Sequence, residues 1–270
     1  MPLLTVGASR TTTEILKESL ATKFNLINET NAGSYTFMTF NLNPDDQSLF
    51  KFSSDLTYLI FDQLQTRWLE RLLSGRYSYF DQDEQKEILE HAYIELHNSD
   101  NLFYPRMWQA LENYLQENNR LDIEGFIRFR MKDYWNYLSE TLDSAVDRYL
   151  IAQEYQEFVK LLRYFVDLQE PKMNLVNVIF EDDGGFSFLD ETGSPIRIDY
   201  LEGIILEVGQ NELDYEDLLI SALITIAPAR IVLHGETSSH VTETITSIFA
   251  EKVSICSNCS LCGKNLVKKH

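Results

Sequence analysis

The sequence predicts a mixed α/β fold of the α+β class, with a central helical domain between a small N-terminal β-α-β unit and a C-terminal α/β unit carrying a β-hairpin. Three observations carry this expectation. Residues 3–42 pass from an apolar run through an amphipathic segment to an alternating run. From Leu49 to Glu170 the only glycines and prolines are Gly75, Pro105 and Gly125, and apolar residues recur at helical spacing. Beyond Pro171, turn signals separate short apolar runs from helical ones. The expected boundaries are 1–47 for the β-α-β unit, 48–170 for the helical domain, 171–255 for the α/β domain and 256–270 for a cysteine-containing tail.

In the first unit, Leu3–Ala8 is a strand. Ser9 or Thr11 can cap the helix that follows, because Glu14 stands three residues after Thr11 at capping-box spacing. Ile15, Leu16, Leu20 and Phe24 give that helix one apolar face. Asn28–Ser34 is turn-like, and Tyr35–Leu42 alternates as a strand does. The Gly7-Ala8-Ser9-Arg10 turn lies where phosphates bind in many folds, at a strand-to-helix junction. It lacks the glycine spacing of a P-loop or a dinucleotide site and is read as an ordinary turn.

Pro44-Asp45-Asp46 closes the unit. A helix from about Ser54 to Leu73 places Leu56, Leu59, Ile60, Leu64, Trp68 and Leu72 on one side, and Gly75 suits its stop. Asp81–Asn98 is the next helix, and Pro105–Glu117 a separate one with proline in its first turn. Asn118-Asn119-Arg120 is a break. Counting 100° per residue from Ile123, Phe126, Ile127, Tyr134, Leu138, Thr141, Leu142, Ala145 and Tyr149 fall in one stripe. Arg130 falls inside that stripe, whereas Arg128 and Lys132 fall outside it. Arg130, with Tyr134 beside it, is therefore expected to be a structural ion-pair residue or a partner site, since a guanidinium on an apolar face needs an anion. Phe129, off the stripe, is a contact to a second layer or an exposed interface residue.

Past Gln169-Glu170-Pro171, strands Leu175–Glu181 and Phe186–Asp190 flank Asp182-Asp183-Gly184-Gly185, a hairpin signal. A second turn, residues 190–195, leads to Ile196-Arg197-Ile198, and Tyr200–Val208 is ambiguous between helix and strand. Asp214–Ala227 is a helix with acidic residues in its first turn, ended by Pro228. Arg230–His234 is a strand, Ser238–Ala250 a helix and Val253–Cys256 a strand. This repeats the β-α-β grammar of the N-terminus and raises a sheet shared by both units.

A net charge of −19 argues against nucleic acid, whose binding draws on Lys and Arg at phosphates, and against anionic membrane surfaces. The start, Met-Pro-Leu-Leu-Thr-Val-Gly, has no secretory pattern, and the apolar run Leu218–Ala227 is about half the ~20 residues of a spanning helix. A cytoplasmic location without a membrane span is expected, with the three cysteines as thiols.

All three cysteines stand in Cys256-Ser-Asn-Cys259-Ser-Leu-Cys262, a C-x2-C-x2-C run with metal-ligand spacing. Thiolates two residues apart converge on one ion in zinc and iron–sulfur sites. A ferredoxin run continues with a fourth cysteine where this chain has Leu266, so the fourth ligand must come from His234, His270, His240, water or another chain. His234 ends an apolar strand, where ligands bind in α/β folds. The alternative is a cluster of thiols without a resident ion. No G-x-S-x-G or H-E-x-x-H signature occurs, and no catalytic or cofactor-binding residue is assigned.

The stretch Glu124-Gly125-Phe126-Ile127-Arg128-Phe129-Arg130-Met131-Lys132-Asp133-Tyr134, with Glu154–Phe158, Leu161–Val166, Asp217–Pro228 and the terminal Cys256–Cys262 run, resembles the YtxC-like family of sporulation proteins of endospore-forming bacteria. The resemblance extends from about residue 120 to the end. It implies a cytoplasmic protein linked to sporulation, and carries over no activity, cofactor or catalytic residue. Two functions follow as expectations: a non-enzymatic interaction or structural protein with an unassigned protein partner, or a metal-binding (zinc or iron–sulfur) or redox protein built on the cysteines. The first expects an exposed aromatic surface near Phe129 or Trp135.

Overall fold

A computed structural model of the chain describes residues 3–42, 46–181, 185–196, 215–235, 237–257, 259 and 261, with the side chains of 46 and 97–101 outside that description. Two compact units result, Met1–Ala152 and Gln153–His270. Each contains a four-stranded mixed sheet, so the described strands form two sheets rather than one shared sheet.

In the first unit β1 (Leu3–Ser9), α1 (Arg10–Leu20), β2 (Asn25–Ala32) and β3 (Tyr35–Asn41) precede the helices. The sheet order is β2-β3-β1-β4, where β4 is Arg120–Asp122, parallel to β1. Because β4 enters a sheet begun at residue 3, the β-α-β segment and the helical segment share one core. Val6, Ala8, Leu16, Met38, Phe40, Leu56, Leu64, Ile88, Ile127 and Leu138 all lie in that single cluster.

Two strands were not legible. β2 was expected as a turn because its sequence, NLINETNA, is polar and exposed along nearly its whole length, so it carries no alternation. It pairs with β3 through a bulge after Leu26, and Gly33 supplies the positive φ of the connecting turn. β4 is three residues long, too short for periodicity.

The helices are longer than their sequence punctuation. α2 (Asp46–Leu59) continues through a π-helical turn, Ile60–Leu64, into α3 (Gln65–Arg76). α4 (Gln82–Glu117) is one helix that runs through Pro105, where two were expected. Proline removes a single N–H donor, and Leu96 before it and Met107 after it pack into the same core. Asp81 caps α4 in a full capping box with Glu84.

α5 (Ile123–Arg130) and α6 (Lys132–Leu168) are separated by Met131, at φ −111° and ψ 45°. Arg130 is the last residue of α5, ahead of that break, and it does not enter the core as the stripe had placed it. Its guanidinium is exposed and lies over the Tyr114 ring, 4.6 Å from the centroid, rather than in the core. Tyr134 is buried as the stripe required, and its hydroxyl donates to Gln65 Oε1 at 2.9 Å. Phe129 is 84% exposed, and Trp135 is half-buried.

The second unit contains the end of α6, then β5 (Val176–Phe180), β6 (Phe186–Leu189), α7 (Tyr215–Ile226), β7 (Ile231–His234), α8 (Ser239–Phe249) and β8 (Val253–Ile255). The order is β6-β5-β7-β8, with β5-β6 an antiparallel hairpin and β5-β7 and β7-β8 parallel. Val176, Val178, Ile231 and Leu233 of the sheet bury Leu219, Leu223, Ile245 and Ile248 of the helices. Strands and helices lie within a residue or two of their expected positions. The turn at Asp182–Gly184, the residues Arg197-Ile198 and the segment Tyr200–Val208 fall outside the described residues. No described helix is long and apolar enough to cross a membrane.

Candidate metal centre

The parallel pair β7-β8 brings the cysteine run to a strand end. Cys256 immediately follows β8, and its backbone N–H donates to the Leu233 carbonyl at 2.9 Å, extending the ladder. That bond sets Cys256 next to His234, the last residue of β7. The chain bends at Ser257, and Leu261 N–H donates to Cys259 Sγ at 3.3 Å.

The outcome is a cluster of His234, Cys256 and Cys259 whose ligand atoms all lie within 4.8 Å of one another. His234 Nδ1 stands 3.4 Å from Cys259 Sγ. A tetrahedral zinc holding one imidazole nitrogen and one thiolate separates the two donor atoms by about 3.6 Å, from bond lengths of about 2.05 and 2.3 Å. The pair is at ligand spacing. Both thiols are half-buried, reachable by an ion and shielded from bulk water.

His234 is held for this role by its other nitrogen. Nε2 is 3.0 Å from Asn177 Oδ1, on β5. The Asn177 amide nitrogen donates to the Asp190 carbonyl at 3.0 Å, which fixes the amide orientation and leaves Oδ1 as the acceptor. Nε2 must therefore carry the proton, and Nδ1 presents its lone pair toward Cys259. The imidazole is 3% exposed, and burial lowers its pKa below the ordinary value, favouring the neutral form that ligates metals.

Asp190 is itself fixed. Its carboxylate accepts from Thr192 N, Thr192 Oγ1 and Ser194 N at 2.8, 2.6 and 2.9 Å, and its pKa is lowered chiefly by the Thr192 hydroxyl bond. The hairpin thus supports Asn177, which supports His234. On the far side, Gly235 takes φ +89°, and a Cβ there would meet the Phe180 carbonyl at 2.9 Å.

Of the expected ligands, the structure brings together His234, Cys256 and Cys259. Cys262 and His270 lie outside the described residues. His240 is exposed on α8, with Nδ1 3.1 Å from Glu216 Oε2, and does not join the cluster. Asn177 was missed by sequence reasoning; an asparagine inside the apolar run Val176–Phe180 was the available signal. Arg130 and Tyr134 belong to the first unit.

The sequence profile of the YtxC-like family matches residues 51–254. The chain belongs to the YtxC-like family. It is also 30% identical over 194 residues to the uncharacterized protein YtxC of Bacillus subtilis (strain 168), covering 67% of this chain and 68% of that one. No solved structure matches. The family match reaches well upstream of residue 120, where the resemblance had been placed, and includes Asn177 and His234. It ends two residues before Cys256, so the metal reading rests on the geometry of this chain.

Proposed function

We propose that the C-terminal unit binds one zinc ion through His234 Nδ1, Cys256 Sγ and Cys259 Sγ, with Cys262 as the fourth ligand. The observation that carries this is the approach of His234 Nδ1 to Cys259 while Asn177 occupies the opposite nitrogen. A mixed nitrogen and sulfur donor set favours zinc over an iron–sulfur cluster, which takes thiolates in most proteins. Four protein ligands close the coordination sphere and leave no position for substrate, so the ion would tie the cysteine run to the sheet. On this reading the protein is a zinc-stabilised interaction protein rather than an enzyme. The family resemblance supports a cytoplasmic role in sporulation.

Elemental analysis of the full chain, purified without chelator and after zinc reconstitution, tests the centre. The expected result is about one zinc per chain, lost in Cys256→Ser, Cys259→Ser and His234→Ala. Protein that folds and holds no stoichiometric metal after reconstitution overturns the proposal. For the cellular role, deletion in the source bacterium should lower the yield of heat-resistant spores, and unchanged yield would refute it.

A further inference from the structure

The second half of α6 carries an apolar seam that its own unit does not use. Within the second unit, Val159, Leu162 and Val166 of this helix pack against the core. The Tyr155 hydroxyl lies 3.1 Å from Thr244 Oγ1 on α8, and Lys252 Nζ donates to the Val166 carbonyl at 3.1 Å. These contacts fix which way the helix faces. Phe158, Leu161, Phe165 and Leu168 fall on another side and are 56, 64, 51 and 67% exposed.

Their spacing is 3, 4 and 3 residues, the alternation that sets side chains along one seam between two helices. At 100° per residue the four fall within about 80°, centred roughly 110° from Val159, Leu162 and Val166. Together they expose on the order of 400 Å² of apolar surface, the size of the largest patch on a typical monomer and often a binding surface.

The order of residues along the seam selects its occupant. Laid antiparallel about a two-fold axis, the helix meets a second copy with Phe158 against Leu168 and Leu161 against Phe165. Every layer then holds one phenylalanine and one leucine, so large faces small throughout. A parallel copy stacks Phe on Phe and Leu on Leu. It also sets Glu154, the next seam position, against the same residue of its copy, and like charges in a seam repel. In the antiparallel register Glu154 lies beyond the paired run. The helix is already formed and docked, so pairing carries no ordering cost for the segment.

We infer that this face joins two copies of the chain through an antiparallel pair of α6 helices. With Tyr164 beside the seam, the contact buries about 1,000 Å² in total, at the low end of specific interfaces, so the dimer is reversible. Sedimentation of the full chain at about 1–100 µM, with a thiol reductant to exclude cysteine cross-links, should show a dissociation constant on the order of 10 µM. Leu161→Glu should leave only monomer over that range at an unchanged melting temperature, because the side chain is exposed. Arg163→Glu, exposed on the far side of the helix, should dimerise like the parent chain. Phe158→Lys and Leu168→Glu should each abolish pairing, and the double variant should restore it, since each new lysine faces a new glutamate of the other copy. In a parallel pair the double variant sets like charges together and stays monomeric. A parent chain monomeric at about 100 µM, which leaves the face to a different partner or to none, overturns the inference. So does a dimer that survives Leu161→Glu, or a double variant that fails to recover.

Discussion

Asn177 Oδ1 and His234 Nε2 stand 3.0 Å apart between neighbouring strands, and this contact determines which imidazole nitrogen faces the cysteines. Asn177→Ala removes the acceptor and lets the ring take either tautomer. Zinc affinity should fall about 10–100-fold, as for other second partners of ligating histidines. Competition with a chromophoric chelator measures it. Unchanged affinity would show that His234 is not a ligand or needs no such support.

Gly235 connects His234 to the following loop at positive φ, against the Phe180 carbonyl. Gly235→Ala forces a Cβ into a backbone oxygen at 2.9 Å and holds alanine in a left-handed conformation. A loss of about 2 kcal/mol in unfolding free energy is expected, read by denaturant titration. A neutral result would mean the turn can relax.

Ala250 ends α8 at φ 48° and ψ −119°, the conformation of the first central residue of a type II′ turn. Glycine adopts it without strain. Ala250→Gly should stabilise the chain by about 1 kcal/mol, despite the greater freedom glycine has when unfolded. Thermal denaturation of the pair decides the sign.

The Tyr77 hydroxyl donates to Asp143 Oδ1 at 2.8 Å, and burial first, then this bond, push its pKa up to about 12 from 10.0. The folded state keeps the phenolic proton through a window in which the unfolded chain releases it. The stabilisation is complete below pH 10 and fades as pH rises to about 12. Tyr77→Phe should cost about 1 kcal/mol at pH 8, with the gap closing over that window. A gap independent of pH up to 12 would contradict the assignment.

The second unit was nearly legible because its elements are short, apolar and set off by turns, as in Val176–Phe180 and Ile231–His234. The first was less so. β2 has no apolar face, Pro105 breaks the pattern without breaking α4, and Arg130, the last residue of α5, is exposed although its spacing from Ile123 puts it on the core face. Local periodicity reports continuous elements, and it fails where an element is exposed on both sides or ends.

From the sequence alone came the α+β class, the chain's family and the spacing of Cys256, Cys259 and Cys262, because each is written in residues close along the chain. Tertiary structure decided which residues meet. His234 reaches Cys259 across 25 positions, Asn177 reaches His234 across 57, and Glu124 reaches Ser9 across 115. Such contacts depend on strand order and register. These are set when each sheet closes over its core, and no local pattern encodes them.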